Sequence, residues 1–385
     1  ESHTVIANNL VHHNYYHGIR VWSSSNVTVP YNLVYENGGH GIVVYRSTDT
    51  IVSNNDVYNN NYFGIYLLEA NQNRIANNIV YNNDFDGLVL INADENIFFN
   101  NTAFNNTING IYGYGSSGNN ISFNLAFDNL RNGIYLNMST DNLISNNEVF
   151  ANTRHGIVTD FSVGNMIFEN RVYDTILFDG IHVYFSQSIL VCNNTVYNCS
   201  FNGIRLYNTF YSEVSYNVVY GNINSGILSY RSQSNIIWRN VIYENSVIGL
   251  YFDYESENNI VYWNDFLSNN IDGSSQAYDH GFNNTISFNF WTDWIGTDED
   301  GDGIGDSPYF INGTAQNSDP QPLLFPVNPS LIPDSVLHYP TVIAVTPINN
   351  RRTWNIVPLF LIGYFVVGYI GSAIAITIYY LRKRD

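Results

Sequence analysis

Lysine is almost absent from this chain, and charged residues of any kind are few. Lys383 is the only lysine, close to the end of the 385 residues. Charged residues make up 12% of the chain, and the formal net charge is −19. Nucleic-acid binding depends on Lys and Arg that neutralise phosphates. The composition therefore argues against a nucleic-acid partner, whereas a chain this acidic could attract cations.

Cysteine is also scarce. Cys192 and Cys199 are the two copies, and they are either small buried apolar side chains or one local disulfide in an exported protein. Asn-x-Ser/Thr sequons are permissive for export. Nine such sequons occur, at Asn26, Asn100, Asn105, Asn120, Asn137, Asn193, Asn198, Asn283 and Asn312.

The start of the chain lacks an initiator methionine and a signal peptide. It opens at Glu1 and enters a repeat directly, although solenoids need a polar cap at each end. We therefore expect that the true N-terminus, with its cap and any export signal, is missing or was processed away.

What the chain does contain is a regular repeat. A glycine followed by Ile or Leu recurs ten times after its first copy, and nine of the intervals are 23 residues while one is 24. The glycines are Gly18, Gly41, Gly64, Gly87, Gly110, Gly133, Gly156, Gly180, Gly203, Gly226 and Gly249. Such self-similarity indicates a solenoid. The glycine marks a bend at which a side chain would obstruct the next strand.

A column of asparagines keeps the same interval, and an aromatic residue follows three positions after nearly every copy, as in Tyr35 and Tyr58. The predicted structural asparagines are Asn32, Asn55, Asn78, Asn101, Asn124, Asn147, Asn170, Asn194, Asn217 and Asn240. Asparagine tolerates the left-handed backbone of a sharp corner. Stacked amides can also hydrogen-bond from coil to coil, so we expect an asparagine ladder.

Each repeat carries short β segments. Ile65 and Leu67 alternate with Tyr66 in the period of a half-buried strand, and further segments pass through Ile75 and Val80. A repeat of 23 residues is too short for two helices and their turns. The sequence therefore predicts an all-β, right-handed parallel β-helix of about 12 coils over residues 1–290, with the hand set by the general bias of parallel crossovers.

The motif Asn-x-Val-Tyr…Asn…Gly-Ile resembles the repeats of NosD-like proteins and of the wider pectate-lyase-like superfamily, over residues 1 to about 290. This resemblance implies a right-handed β-helix and says little about activity. The superfamily includes polysaccharide lyases, glycoside hydrolases, epimerases, adhesins and accessory proteins. NosD itself is associated with copper delivery to nitrous oxide reductase, so copper is implied only by the resemblance.

Residues 291–319 contain an acidic loop. Alternate carboxylates at positions 1, 3 and 5, a glycine at 6 and a backbone carbonyl at 7 are typical of calcium loops. The predicted calcium ligands are Asp298, Asp300, Asp302, the carbonyl of Ile304, and Asp306. The alternative is a solvated acidic turn, since position 12 is Tyr309 and not Glu. The block also resembles the C-terminal end of archaeal NosD-like surface proteins, which implies a structural cap.

The C-terminal part is predicted to hold an anchor. Residues 320–352 are rich in proline, which favours an extended linker. Residues 356–381 lack any charge, and about 20 apolar residues suffice to span a bilayer. We predict a transmembrane helix over 353–381 and a cytoplasmic basic tail over 382–385, with the rest outside the cell. The alternative is a buried core helix.

Two clusters could carry chemistry on neighbouring coils. His17 and His40 lie one coil apart and could bind copper or zinc, unless the pair is accidental. A second group could supply the acid–base chemistry of a polysaccharide lyase or glycoside hydrolase. Its predicted catalytic residues are His155, Asp160, Asp179, His182 and Arg205, with Arg154 nearby.

Outward aromatic residues could stack on sugar rings, although ordinary cross-strand packing is the alternative. They are Trp22, Tyr45, Tyr114, Tyr184, Tyr207 and Tyr230. We therefore expect a cell-surface β-helix protein that binds glycans or surface proteins without catalysis. A polysaccharide lyase or glycoside hydrolase is the first alternative, and a NosD-like copper-handling protein is the second.

Overall fold

A computed structural model describes residues 3–270, 273–333, 335–337 and 341–342, all of which fall within one compact unit, residues 1–345. Each coil contributes one short strand to each of three parallel sheets. Residues one repeat apart are hydrogen-bonded partners, as in Ile75 with Phe98 and Val80 with Ala103. The predicted all-β, right-handed parallel β-helix of about 12 coils is confirmed.

The strands are short, because the chain must turn three corners in every coil. The first sheet consists of Thr4–Val5, Val27–Pro30, Ile51–Ser53, Arg74–Ala76, Ile97–Phe99, Asn120–Ser122, Leu143–Ser145, Met166–Phe168, Leu190–Cys192, Glu213–Ser215, Ile236–Trp238, Ile260–Tyr262 and Thr285–Ser287. The second sheet consists of Leu10–His12, Leu33–Tyr35, Asp56–Tyr58, Ile79–Tyr81, Thr102–Phe104, Leu125–Phe127, Glu148–Phe150, Arg171–Tyr173, Thr195–Tyr197, Val218–Tyr220, Val241–Tyr243, Asp265–Leu267 and Phe290–Trp291. The third sheet consists of Ile19–Trp22, Ile42–Tyr45, Ile65–Leu68, Leu88–Ile91, Ile111–Tyr114, Ile134–Asn137, Ile157–Asp160, Ile181–Tyr184, Ile204–Tyr207, Ser225–Tyr230, Ile248–Phe252 and Ala277–Asp279.

The interior is a continuous apolar column of Ile, Val and Leu. Ile65, Leu67, Ile75 and Val80 of one coil are fully buried, whereas Tyr66 faces outward between two of them. The repeat glycine is needed because a Cβ at Gly64 would lie 2.7 Å from the backbone oxygen of the next repeat glycine. A side chain at this corner would push the coils apart.

The predicted asparagine ladder is formed by buried side chains. Asn124 Oδ1 accepts hydrogen bonds from the backbone nitrogen and the Nδ2 of Asn101 at 2.9 and 3.0 Å. Its Nδ2 donates to Asn147 Oδ1 at 3.0 Å. The same bonds repeat from Asn32 to Asn240 and continue to Asn289.

The backbone conformation of this column differs from the predicted left-handed corner. The ladder asparagines themselves do not have positive φ; the residue before each of them does, as in Asn54 (φ 56°), Asn77 (φ 58°) and Asn146 (φ 55°). The left-handed residue turns the backbone, and this turn points the next side chain inward. The ladder positions therefore use the amide alone, and Phe123 or Arg239 can serve as the left-handed residue.

Both cysteines are free thiols. Cys199 is buried at a corner, where its backbone nitrogen donates to Asn222 Oδ1 at 3.0 Å. Cys192 is half-buried on the first sheet. Of the two interpretations, the small apolar residue applies to Cys199.

The last coil is covered by the segment that follows it. Trp291 is fully buried and stacks on Phe266 and Tyr309 at 4.3 and 4.2 Å between ring centroids. Asp319 accepts hydrogen bonds from the backbone nitrogen of Asn289 and from Trp291 Nε1 at 2.8 and 3.0 Å. It thereby extends the asparagine ladder by one step. Two short strand pairs follow the last coil. Ile295–Gly296 pairs with Thr341–Val342, and Tyr309–Phe310 pairs with Ser318–Asp319.

The start of the proline-rich segment differs from the predicted extended linker. Leu324, Ile332 and Val336 are buried against the solenoid, and Pro329–Leu331 forms a 3₁₀ turn. Asp265 of the second sheet accepts the backbone nitrogens of Val327 and Asn328 at 2.7 and 2.8 Å. The apolar residues between the prolines contact the solenoid, so this segment packs against it.

Nothing in the described ranges is a helix with the length and hydrophobicity needed to cross a bilayer. The predicted transmembrane helix, 353–381, and the basic tail, 382–385, lie outside the residues that the structure describes.

Candidate functional site

The corner before the third sheet holds one polar side chain in most coils, at the position before each repeat glycine. We call this set the corner column; it comprises His17, His40, Phe63, Asp86, Asn109, Asn132, His155, Asp179, Asn202, Ser225 and Ile248. Asp86 Oδ1 accepts from the backbone nitrogen and the Nδ2 of Asn109 at 3.0 and 2.6 Å. Asp179 Oδ1 accepts from the same atoms of Asn202 at 3.3 and 2.7 Å. Aspartate and asparagine therefore make the same bonds in this column.

His155, Asp179 and His182 converge at one point of the corner column. Asp179 Oδ2 lies 3.3 Å from Nδ1 of His155 and 3.3 Å from Nδ1 of His182. His182 Nδ1 is also 3.4 Å from His155 Nε2. Asp179 is fully buried and His182 nearly so. We call these three residues the His–Asp–His cluster.

Burial and the neighbouring side chains together set the charge state of this cluster. The guanidinium of Arg205 lies 3.9 Å from Asp179 Oδ2. Burial raises the pKa of Asp179, but the nearby imidazoles of His155 and His182 and the Arg205 guanidinium outweigh it and hold the pKa below its ordinary value. Burial lowers the pKa of His182 to about 3. At neutral pH the cluster therefore presents an ionised carboxylate and a neutral His182.

Three polar atoms of the cluster and of Arg205 have no hydrogen-bond partner among the described residues. They are Asp179 Oδ2, His182 Nε2 and Arg205 Nε, and all three are buried. Buried polar atoms in folded proteins are nearly always paired. Three such atoms in one place indicate a site that another species completes.

An open cleft of about 430 Å³ lies over the cluster. It is lined by Asn109, Arg131, Asn132, Tyr135, Arg154, His155, Val158, Asp160, His182 and Tyr184. Within it the Tyr135 hydroxyl donates to Asp160 Oδ2 at 2.8 Å. Burial raises the pKa of Asp160, and burial together with this hydrogen bond raises that of Tyr135. A protonated phenol and a half-buried carboxylate thus lie side by side in the cleft.

Two exposed arginines, Arg131 and Arg154, stand in the lining of this cleft. Neither has a carboxylate ion-pair partner among the described residues. Other arginines of the solenoid do, and these pairs are Arg46 with Glu69, Arg171 with Glu148 and Arg231 with Glu255. The cleft therefore carries positive charge that remains available to a ligand.

A larger hollow of about 640 Å³ lies against the first coil. The described residues that line it include Arg20 and Trp22 but no carboxylate and no histidine. It therefore offers no acid–base or metal chemistry, and the candidate site is the cleft over the His–Asp–His cluster.

The six predicted outward aromatic residues share one register position of the third sheet but do not form a single row. Trp22 and Tyr45 are neighbours, whereas Tyr114 stands apart between Ile91 and Asn137. Tyr184, Tyr207 and Tyr230 are consecutive, and Asp160 is the next residue in the same register. We call these three residues the tyrosine track; it runs directly into the cleft.

The ring faces of the tyrosine track are partly used within the protein. The rings of Tyr184 and Tyr207 lie 4.9 Å apart and those of Tyr207 and Tyr230 lie 5.1 Å apart, the second pair stacked. Ring edges and hydroxyls, more than ring faces, are therefore offered to a ligand. By contrast, Trp22 is exposed and lies under the guanidinium of Arg20 at 4.3 Å.

His17 and His40 stack on each other with ring centroids 4.9 Å apart. His17 Nδ1 accepts the backbone nitrogen of His40, and His40 Nδ1 accepts that of Phe63, both at 3.1 Å. Burial lowers the pKa of His40 to about 4. One nitrogen of each ring therefore accepts a hydrogen bond from the backbone of the next coil, as the side-chain oxygens of Asp86 and Asp179 do.

The acidic loop brings three predicted calcium ligands together. One carboxylate oxygen of each of Asp298, Asp300 and Asp302 lies within 4.8 Å of the others. Asp298 also accepts the backbone nitrogens of Gly301 and Gly303 at 2.9 and 3.2 Å. Asp306 is not part of this group: its carboxylate accepts the backbone nitrogen of Glu299. The nitrogen of Ile304 is held by Asp302 Oδ1 at 2.8 Å.

The sequence matches the model of the family described as right-handed β-helix region, over residues 1–126, 50–175 and 133–291. The chain belongs to this family. No curated protein matches the sequence significantly.

Several solved β-helix structures are similar to this member of the family. A point mutant of the periplasmic alginate epimerase AlgG is 16% identical, with a TM-score of 0.47 over 70% of this chain and 72% of that chain. The A-module of mannuronan C-5 epimerase AlgE6 from Azotobacter vinelandii is 16% identical, with a TM-score of 0.45 over 69% of this chain and 64% of that one. The Dettilon tailspike protein is 13% identical, with a TM-score of 0.49 over 74% and 58% of the two chains.

Two residues of the cleft, Arg131 and Tyr135, escaped the sequence-based prediction. Tyr135 lies two residues before Asn137, which pairs with Asp160 in the next coil, so the 23-residue register could have placed it beside that carboxylate. A further signal was the single 24-residue interval, between Gly156 and Gly180. That longer corner carries Phe178, whose ring stacks on His155 at 5.1 Å.

Proposed function

We propose that this β-helix binds an anionic polysaccharide along its third sheet, centred on the cleft over the His–Asp–His cluster. The observation that carries the proposal is the charge of the cleft. In a chain with net charge −19, Arg131 and Arg154 line the cleft without a carboxylate ion-pair partner among the described residues. Arginine binds carboxylates through paired hydrogen bonds, so a polymer of uronic acids fits this lining.

The tyrosine track supports a polymer more than a small ligand. Successive coils of a parallel sheet lie about 4.8 Å apart, and each of three coils adds one tyrosine in register with Asp160. Hydroxyls and ring edges repeated at this spacing can hydrogen-bond to successive sugars. A chain that lies along the solenoid would therefore touch the cleft and the track together.

The test is a binding comparison between a polyuronate and a neutral polysaccharide of similar length. Arg154→Gln should weaken polyuronate binding by about tenfold, since one lost charged hydrogen bond is worth about 1.5 kcal/mol, and binding should also fall with salt. Arg74→Gln is the matched control, because Arg74 is exposed on the first sheet. Equal binding of the neutral polymer, or equal losses for both variants, would contradict the proposal.

A second candidate function is lyase chemistry on the same polymer, and the Tyr135–Asp160 pair favours it. The phenol is held at 2.8 Å from the carboxylate, and burial raises the pKa of both groups. In a uronate whose carboxylate is neutralised by arginine, the adjacent C–H proton becomes acidic, and a positioned base and acid can then eliminate the neighbouring glycosidic oxygen.

Lyase activity is measured by the ultraviolet absorbance of the new double bond. We expect Tyr135→Phe and Asp160→Asn each to lower turnover by about 100-fold or more, while polyuronate binding stays within a few-fold of the parent protein. Absence of any product from the parent protein with several polyuronates would leave binding as the function of the cleft.

We also propose that the acidic loop binds calcium and so holds the segment that covers the last coil. The proposal rests on the approach of Asp298, Asp300 and Asp302 to one another, and on the position of the loop just after Trp294, which is buried in the core. The carbonyl of Ile304 and the carboxylate of Asp306 would complete the coordination after a small rearrangement, with water in the remaining positions.

We propose, finally, that the β-helix is displayed outside a cell membrane by residues 353–381. The support is the uncharged stretch from 356 to 381 followed by a basic cluster at Arg382–Arg384. Deletion of residues 353–385 should move the protein from the membrane fraction to the medium; an unchanged distribution would remove this proposal.

A further inference from the structure

The His–Asp–His cluster has the dimensions of a metal site. A tetrahedral zinc ion with bonds of about 2.0–2.1 Å has ligand atoms about 3.3–3.4 Å apart. Asp179 Oδ2 lies 3.3 Å from His182 Nδ1, and His182 Nδ1 lies 3.4 Å from His155 Nε2. Because His155 Nδ1 accepts the backbone nitrogen of Asp179 at 3.3 Å, Nε2 is the nitrogen that His155 would offer to a metal ion. One ligand atom from each of the three residues lies within 4.8 Å of the others. From this match we infer that His155, Asp179 and His182 bind a divalent transition-metal ion of the zinc type, beneath the glycan cleft.

A second and independent observation is the buried carboxylate oxygen itself. Asp179 is fully buried, and its Oδ2 faces the two imidazoles without a hydrogen-bond partner. The other oxygen, Oδ1, is held by Asn202, which fixes the orientation of the carboxylate. A ligand oxygen oriented by such an outer hydrogen bond is the usual arrangement around metals in proteins. The metal ion would pair the one oxygen that the fold leaves unpaired.

The ligand types select the class of metal. Two imidazoles and one carboxylate suit zinc, copper or iron, whereas calcium and magnesium prefer oxygen ligands alone. The site is thus chemically distinct from the acidic loop. Its three protein ligands leave a fourth position, toward the cleft, that a substrate carboxylate or a water molecule could take.

The positive charge of Arg205 opposes the binding of a metal ion at this site. Its guanidinium is 3.9 Å from the same Oδ2, so its positive charge must lower the affinity for a cation. Arg205→Met should therefore tighten metal binding by several-fold. A metal affinity that does not change in this variant would contradict a metal ion bound at Asp179 Oδ2.

The corner column supplies a conservative test variant. Asp179→Asn keeps the oxygen that accepts from Asn202, as Asn109 and Asn132 do in the same column, but it removes the anionic ligand. The matched control is Asp86→Asn. Asp86 is buried in the same column and accepts the same two bonds from Asn109. Both variants should fold, which their circular dichroism and melting temperatures verify.

The experiment is a calorimetric titration of the full chain with Zn²⁺ as the only titrant. The buffer contains calcium, which fills the acidic loop. We expect one Zn²⁺ per chain, with affinity that falls at low pH because protons compete for the histidines. Asp179→Asn and His182→Ala should each weaken binding by about 100-fold or more. Asp86→Asn, and His13→Ala at an exposed histidine elsewhere, should bind as the parent does.

The metal inference is overturned if the parent protein binds no stoichiometric Zn²⁺ or Cu²⁺, or if Asp179→Asn binds as tightly as Asp86→Asn. It stands apart from the proposed glycan function, because polyuronate binding is measured separately in the presence of a chelator. Polyuronate binding that survives chelation, together with a flat Zn²⁺ titration, removes the metal and leaves the glycan function intact.

Discussion

Single buried amides join the coils of this solenoid. Asn124 shows why asparagine occupies the ladder: its oxygen accepts two hydrogen bonds from Asn101, and its nitrogen donates to Phe98 O at 2.9 Å and to Asn147 Oδ1 at 3.0 Å. Asparagine has both a double acceptor and a double donor on a short side chain. Aspartate, which has no donor when ionised, could not extend the chain of bonds in both directions.

The ladder predicts a large cost for one substitution. Asn124→Ala would leave the backbone nitrogen of Asn101 without its partner and would also remove the bonds of Asn124 to Asn101 Nδ2 and to the Phe98 carbonyl, at about 1–3 kcal/mol for each buried group left unpaired. We expect the free energy of unfolding to fall by about 3 kcal/mol or more, as measured by denaturant titration. Asn61→Ala, at an exposed asparagine, should cost less than about 0.5 kcal/mol. Similar losses at both positions would refute the role assigned to the ladder.

At the scale of one coil, three corners decide where side chains can converge. The glycine corner excludes a Cβ, since at Gly156 it would lie 2.2 Å from Val172 Cγ1 and 2.6 Å from Gly180 O. The residue before that glycine points into the corner column. A histidine or an aspartate at this position therefore lies close to the side chain at the same position of the next coil. This proximity places a chemical site at the corner.

The calcium loop is an element whose stability can be tested by itself. Calcium bound only to the folded state at about 100 times its Kd adds about 2.7 kcal/mol, so the melting temperature should rise by several degrees when Ca²⁺ replaces a chelator. Asp300→Asn should abolish the rise, and Asp84→Asn, at an exposed carboxylate on another corner, should retain it. A melting temperature indifferent to calcium in the parent protein would exclude the bound ion.

For the whole molecule, buried carboxylates govern the response to pH. Burial raises the pKa of Asp86 and of Asp265 to about 6, although each accepts hydrogen bonds. An unfolded aspartate has a pKa of about 3.9, so the folded protein binds more protons between these values. The stabilising contribution of each group is complete below about pH 4 and is lost as pH rises through about 6.

Asp86→Asn should therefore stabilise the protein at neutral pH, by up to about 2–3 kcal/mol, because it removes a buried charge and keeps the oxygen that accepts from Asn109. The gain should vanish near pH 4. Melting temperatures of the parent protein and the variant across pH 4–8 test this, with the exposed Asp84→Asn as control. A gain that does not change with pH would indicate a cause other than the carboxylate charge.

The sequence by itself determined the solenoid. Gly64 and Asn55 belong to columns that recur every 23 residues, and a strand such as Ile65–Leu68 has its own two-residue alternation. These signals are local and repeat in every coil, so each copy supports the same structure. Right-handedness followed from the general preference of parallel crossovers.

Only the tertiary structure decided which side chains meet. It placed Tyr135 against Asp160, brought His155 and His182 to the same oxygen of the Asp179 carboxylate, and packed Leu324 onto the solenoid. It also showed that Asn54, not the ladder residue Asn55, has the left-handed backbone. Such meetings depend on backbone direction at each corner and on packing across coils, and the positions of single residues in a repeat do not specify either.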